Sequence, residues 1–171
     1  MQLRRGNGTN LRQRALRLLA GREHTRAELT RKLARLGGDD EVASVLDALQ
    51  NEGVLSDERF AASYVRTHAA RLGRSRLAQT LRAKGVAVDL ANQELNTQLN
   101  ADGERDETER ARVLWERKFG AVPTDAREWA RQARFLQFRG FSSDVIRQVL
   151  RDAKRSAGDK PSIVVTEQDS A

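Results

Sequence analysis

The chain has no cysteine. Disulfides and thiolate chemistry are therefore excluded, and the composition fits a reducing cytosol. No apolar run reaches the roughly 18 residues that a membrane span needs. The N-terminal stretch also lacks the apolar core of a secretory signal. The expectation is a cytoplasmic protein with no membrane partner. Aromatics are only 5% and hydrophobics 39%. That predicts a thin core of Leu, Val and Ala, in units that bury apolar surface against their neighbours rather than around one central cluster. His24 and His68 lie far apart with no ligand spacing around them, so a surface or capping role is expected and no metal. The acidic run Asp39-Asp40-Glu41 reads as a helix start rather than a cation site. There is no Gly-Lys-Ser/Thr phosphate loop, and no nucleophile beside an evident base. Neither enzyme nor cofactor is expected.

What is present is a repeat. Residues 28–50, 76–98 and 131–153 share one pattern. A leucine (Leu33, Leu81, Leu136) precedes a glycine (Gly37, Gly85, Gly140) by four positions. An acid (Glu41, Asp89, Asp144) follows the glycine by four, and an apolar residue (Val42, Leu90, Val145) comes next. The glycines are 48 and then 55 residues apart, so one supersecondary unit is used three times. The glycine is expected to stop a helix in the left-handed conformation. The acid then falls in the first turn of the next helix, where the dipole favours it. The fold class that follows is all-α: an elongated array, right- or left-curved, of three tandem three-helix repeats, about nine helices in all.

Taken in order, residues 1–9 read as a mobile leader and 10–54 as the first repeat. Leu11, Ala15, Leu18 and Leu19 lie on its opening helix. Thr25-Arg26-Ala27-Glu28 fits a capping box. Leu29, Leu33 and Leu36 are expected to be buried on the next helix, and Val42, Val45, Leu46 and Leu49 on the third. Residues 55–100 form the second repeat, with Ser56 as an N-cap and Phe60, Ala61, Tyr64 and Val65 as its stripe. Residues 101–155 hold an acidic linker and the third repeat, with Thr124 and Ser142 as caps. Residues 156–171 lose all periodicity and read as a disordered tail.

Charge is segregated. Net charge is +7 with a sequence pI near 10.6. Residues 59–86 hold seven basic residues and no acid, whereas residues 38–58 hold seven acids and no base. Solvated helix faces usually alternate sign every few residues. Blocks of this length favour a basic groove for a phosphate backbone or an acidic protein face. The candidates are Arg31, Lys32 and Arg35; Arg71, Arg74, Arg76, Arg82 and Lys84; and Arg131, Arg134 and Arg139. Planar guanidinium suits phosphate and carboxylate forks. Six of the eight aromatics lie between Trp115 and Phe141. At helical spacing they read as core, with stacking of single-stranded bases as the alternative. Phe138 and Phe141, flanking Arg139-Gly140, are expected to be partly exposed.

Three blocks carry a resemblance to a known family. The first is Ala15-Leu16 and Leu19 with Glu28-Leu29 and Lys32-Leu33. The second is Leu55-Ser56-Asp57, Arg59-Phe60-Ala61 and Tyr64, followed by Gly73, Leu81 and Lys84-Gly85. The third is Leu136 with Arg139-Gly140-Phe141. Over roughly residues 11–152 the chain resembles the RecX family of recombinase regulators. The resemblance marks Leu55, Asp57, Phe60, Tyr64, Gly85, Gly140 and Phe141 as structural motif residues. It implies a monomeric, non-enzymatic regulator of homologous recombination, DNA repair and the SOS response. Such a protein binds the RecA recombinase filament and single-stranded DNA, with weaker binding to double-stranded DNA. It inhibits the filament's recombinase, ATPase and coprotease activities. One departure is visible: Gln79 and Thr80 stand where the first repeat has Arg31 and Lys32, so the repeats do not offer equivalent surfaces. A stand-alone helix-turn-helix transcription regulator is the alternative, and a purely structural scaffold a third reading. The first of these needs a recognition helix directed at bases; the second leaves the charge blocks without a purpose.

Overall fold

The computed structural model describes residues 5–100 and 107–158, which contain nine α-helices and no strand. Helices α1 (Arg5–Gly21), α2 (Arg26–Leu33) and α3 (Asp39–Asn51) make the first unit. The second consists of α4 (Asp57–His68), α5 (Arg74–Ala83) and α6 (Val88–Asn100). The third consists of α7 (Glu107–Lys118), α8 (Ala126–Phe138) and α9 (Ser143–Gly158). Of the acidic linker read over 100–109, residues 101–106 lie outside the described residues and α7 begins within it at Glu107; of the tail read from 156, residues 159–171 lie outside them. Helix reaches further at both ends than the periodicity suggested: α1 starts within the stretch read as a leader, and α9 continues past residue 156.

Each unit closes its own core, which corrects the expectation that apolar surface would be buried between units. Leu11, Ala15, Leu29, Leu33, Val42, Leu46, Leu49 and Leu55 form the first cluster. Phe60, Ala61, Val65, Leu77, Leu81, Val86, Ala91 and Leu95 form the second. Ala111, Trp115, Leu136, Phe141, Ile146, Val149 and Leu150 form the third. Three short helices packed together give each apolar stripe two facing stripes, so a leucine-rich unit can satisfy itself. Leu55, first in the Leu-Ser-Asp motif, packs back into the first core. Leu36, in contrast, is exposed, because α2 ends at Leu33.

The helix stops follow local rules in two units of three. Gly85 and Gly140 have φ of 90° and 87°. Val86 N–H donates to Leu81 O at 3.0 Å, and Phe141 N–H to Leu136 O at 3.2 Å, which closes a Schellman turn in each case. Gly37 is not left-handed, a correction to the repeat pattern. Its constraint is steric, since a Cβ there would lie 2.6 Å from Leu11 Cδ1. Ser56 caps α4, and Ser142 Oγ accepts from Val145 N–H at the start of α9. For α8 the cap is Asp125 rather than Thr124, whose N–H and hydroxyl both meet Glu128.

Candidate nucleic-acid interface

The repeat aligns Thr25 with Gly73, Glu28 with Arg76, and Lys84 with Arg139. The two junctions between units are built on these positions. At the first, Thr25 Oγ1 accepts from Glu28 N–H at 3.0 Å and donates to Lys84 O at 2.6 Å. Arg26 N–H donates to Asp57 Oδ1 at 2.8 Å. At the second, Gly73 N–H donates to Arg139 O at 2.9 Å, and Arg74 N–H donates to Glu107 Oε1 at 2.8 Å. In both, a first-turn amide of a unit's second helix, which has no partner within that helix, is satisfied by the next unit. One acceptor opens that unit's first helix, and a carbonyl at the end of its second helix meets the capping residue. Asp57, a motif residue of the resemblance, thus acts across the junction.

Close approach at the second junction depends on two glycines. A Cβ on Gly73 would run into the Gly140 carbonyl, and one on Gly140 would run into Arg76. Without those atoms the start of α5 rests on the end of α8, and Ser75 N–H reaches Gly140 O at 3.3 Å. Gly85 makes the matching contact at the first junction, against Ala27.

The side chains on the two junctions differ sharply. In the first, Glu28 is buried and held by three partners: Lys84 Nζ at 2.8 Å, His24 Nδ1 at 3.0 Å and Arg22 Nη1 at 3.1 Å. Burial pushes this carboxyl up, but the hydrogen bonds from Lys84, Arg22 and His24 outweigh it and hold the group at about 2. Burial pushes the His24 imidazole below its ordinary value, opposed by its hydrogen bond to Glu28. His24 is therefore neither a surface nor a capping residue, and Glu28 does not complete the capping box. Its carboxylate faces the next unit. Lys84, also over the Phe60 ring at 5.6 Å, is committed to this contact. Tyr64 stacks between Phe60 and His68, with ring centroids at 6.1 and 4.0 Å.

At the second junction the residue in the Glu28 position is Arg76, and the surface opens into two clefts. One, of about 580 Å³, is lined by Ser75, Arg76, Gln79, Arg82, Arg134, Gln137, Phe138 and Gly140. The other, of about 700 Å³, is lined by Leu72, Arg76, Lys118, Phe119, Arg131, Arg134, Phe135, Phe138 and Arg139. Arg76, Arg134 and Phe138 are common to both, and neither is lined by an acid. Each of three arginines lies over a ring: Arg139 over Phe135 at 5.3 Å, Arg131 over Phe119 at 5.6 Å and Arg76 over Phe138 at 5.8 Å. Phe138 is 79% exposed, while Phe141 is buried in the third core. Arginine charge set among aromatic planes can engage phosphates and bases together.

The sequence candidates thus separate. Arg76, Arg82, Arg131, Arg134 and Arg139 converge on this surface. Arg74 is half-buried, with Nη2 on Asn96 Oδ1 at 2.6 Å. Arg31, Lys32 and Arg35 are exposed on the first unit, and Arg71 is exposed before α5; none of them lines either cleft. Lys118 and Gln137 were not singled out in the sequence, and Gln79 was noted only as a departure between repeats. They come from three helices whose proximity has no signal in the spacing. Among the described residues no group of His, Asp or Glu is arranged to hold a metal ion, and no helix is long and apolar enough to cross a membrane.

Comparison with known proteins agrees with this architecture. Family models described as the first, second and third three-helix domains of RecX match residues 12–49, 56–95 and 105–150. The chain is 52% identical over 143 residues to the regulatory protein RecX of Leptothrix cholodnii, covering 83% of this chain and 88% of that one. It is 44% identical over 144 residues to that of Chromobacterium violaceum, covering 84% and 90%. Among solved structures, a crystal structure of a regulatory protein RecX superposes with a TM-score of 0.72 at 26% identity, covering 85% of this chain and 73% of that one. A crystal structure of RecX from Lactobacillus salivarius superposes with a TM-score of 0.71 at 22% identity, covering 87% and 97%. With all three domains matched in order and more than half of aligned positions shared with a curated relative, the chain belongs to the RecX family.

Proposed function

We propose that the protein is a non-enzymatic cytoplasmic regulator that binds the RecA recombinase filament on single-stranded DNA and inhibits it. The arginine clefts between α5 and α8 meet the nucleic acid. The observation that carries this reading is the convergence of Arg76, Arg82 and Arg134 on clefts with no acid in their lining, Glu128 pairing with Arg131 beside them. Three linked units span the filament groove as a monomer, and occupancy there hinders strand exchange, ATP hydrolysis and repressor cleavage. Linkage raises the effective concentration of each weak contact. Binding to double-stranded DNA is weaker. The helix-turn-helix transcription regulator is not favoured, since the matched family is RecX throughout.

The test is a combined Arg76→Glu, Arg82→Glu, Arg134→Glu variant. Arg134 is preferred to Arg74, whose main chain and side chain are engaged by Glu107 and Asn96. Binding to a single-stranded oligonucleotide is measured by anisotropy across salt, together with recombinase ATP hydrolysis. The expected result is weaker binding, lost inhibition and a log–log salt slope shallower by about 2, at roughly 0.7 per phosphate contact. Parental affinity and slope would overturn the reading.

A further inference from the structure

We propose that Phe138 is a stacking platform for an unpaired nucleobase and gives the cleft surface its preference for single-stranded over double-stranded nucleic acid. This rests on the functional reading above and adds to it the way in which the strand state is sensed.

Among the described residues, five large apolar side chains are exposed. Phe138 at 79% stands well above the others, Val88 at 52%, Leu36 at 46%, Trp129 at 42% and Val113 at 38%. It is the last residue of α8 before the Arg139–Gly140 turn, so its position is set by the Schellman turn and by the contact of Gly140 with Arg76. Its ring belongs to both clefts, with Arg76 at 5.8 Å from its centroid and Arg134 beside it. A flat apolar ring in water with guanidinium groups around it is poorly suited to an apolar pocket on a protein, because docking there would bury those charges unpaired. It is well suited to a nucleotide. The base covers the ring, while its 5′ and 3′ phosphates face the arginines in the two clefts. Ser75, Gln79 and Gln137 add hydrogen-bonding groups along one cleft. In a duplex the base faces are already stacked and the ring finds no partner, so Phe138 favours single strands, whereas the arginines attract either form.

The experiment uses the full chain with Phe138→Ala and Phe138→Trp, and a single-stranded oligonucleotide carrying one 2-aminopurine. The ring is solvent-exposed, so both variants should keep the parental helical circular dichroism. For Phe138→Ala, affinity for the single strand should fall roughly tenfold, the scale of one lost base–aromatic stack. Affinity for a duplex of the same length should stay within about twofold. The 2-aminopurine emission change on binding should disappear in Phe138→Ala and persist in Phe138→Trp. Equal losses for both nucleic acids, or an emission change that survives in Phe138→Ala, would overturn the proposal. Intact oligonucleotide binding with lost filament inhibition would also overturn it, and would assign Phe138 to a protein contact. The arginine variant fails or holds independently: if it loses DNA while Phe138→Ala does not, the groove stands and the stacking role falls.

Discussion

The first and second junctions share a backbone plan and differ in side chains at each of the aligned positions, most consequentially at one. Where the first unit places Glu28, the second places Arg76. The acid draws Lys84 inward, together with Arg22 and His24, and the junction becomes an internal charge cluster. The arginine draws nothing inward, so Arg139 and Arg134 stay on the surface among Phe119, Phe135 and Phe138. Two copies of one unit thus give a buried charge cluster at one junction and an open arginine surface, the proposed interface, at the other, and the difference is electrostatic rather than topological.

Prying the second junction apart should have the largest effect. Gly73 has φ of −75°, which any residue adopts, but an added Cβ would strike the Gly140 carbonyl. Gly73→Ala should leave the helices of each unit formed while separating the second unit from the third. Inhibition of the recombinase should weaken by about tenfold or more, because linked sites fail when their geometry is lost. Unchanged inhibition, with normal circular dichroism, would show that the clefts are not assembled by this contact.

Converting the second junction into the first is the next step down. Arg76→Glu should place a carboxylate within reach of Arg139 and Arg134. Affinity for single-stranded DNA should drop by severalfold, while thermal stability should change by no more than about 1 kcal/mol, as is usual for exposed pairs. A large loss of stability would mean that Arg76 has a packing role beyond the charge argument.

Neutralising the first junction should affect stability rather than binding. Glu28→Gln should cost about 1–3 kcal/mol, since a buried carboxylate gives up its charge-assisted hydrogen bonds from Lys84, Arg22 and His24. Its pH dependence is specific. The carboxyl ordinarily titrates at 4.5 and is held at about 2 here. Its stabilisation is complete above pH 4.5 and is lost as pH falls toward 2. The parental melting temperature should therefore fall more steeply across that window than that of Glu28→Gln. The imidazole of His24, lowered by burial, adds a decline that begins as pH drops below 6.5. Identical acid profiles for parent and variant would remove Glu28 from the account.

The smallest effect is expected far from either junction. Replacing Asp39, Asp40 and Glu41 by lysine at the start of α3 should leave binding to naked DNA unweakened, though it opposes the helix dipole by a few tenths of a kcal/mol each. Weakened DNA binding in that variant would implicate the first unit's acidic helix directly.

Much of the fold was legible because its causes are local. Helical spacing of leucines, serine caps and the glycine stops at Gly85 and Gly140 depend on neighbours a turn or two away. The errors fall where the cause is remote. Gly37 looked like its two counterparts, yet it is constrained by Leu11 on another helix. His24 read as a surface or capping residue and Glu28 as a capping partner, because the contact that turns Glu28 inward, from Lys84, comes from 56 residues away.

The candidate site shows the same division. Composition and charge blocks marked the basic stretches and named Arg76, Arg82, Arg131, Arg134 and Arg139 among others. Sequence alone thereby determined three helical units and an excess of arginine able to serve a polyanion, since both follow from periodicity and composition. It did not separate Lys84, which is neutralised by Glu28, from Arg139, which lines a cleft over the Phe135 ring. Nor did it single out Phe138 as exposed while Phe141 was buried. Those outcomes belong to the tertiary structure. A charge is free or cancelled, and a ring open or covered, according to what the neighbouring unit places within a few ångströms, and that distance is set by two glycines meeting across a junction.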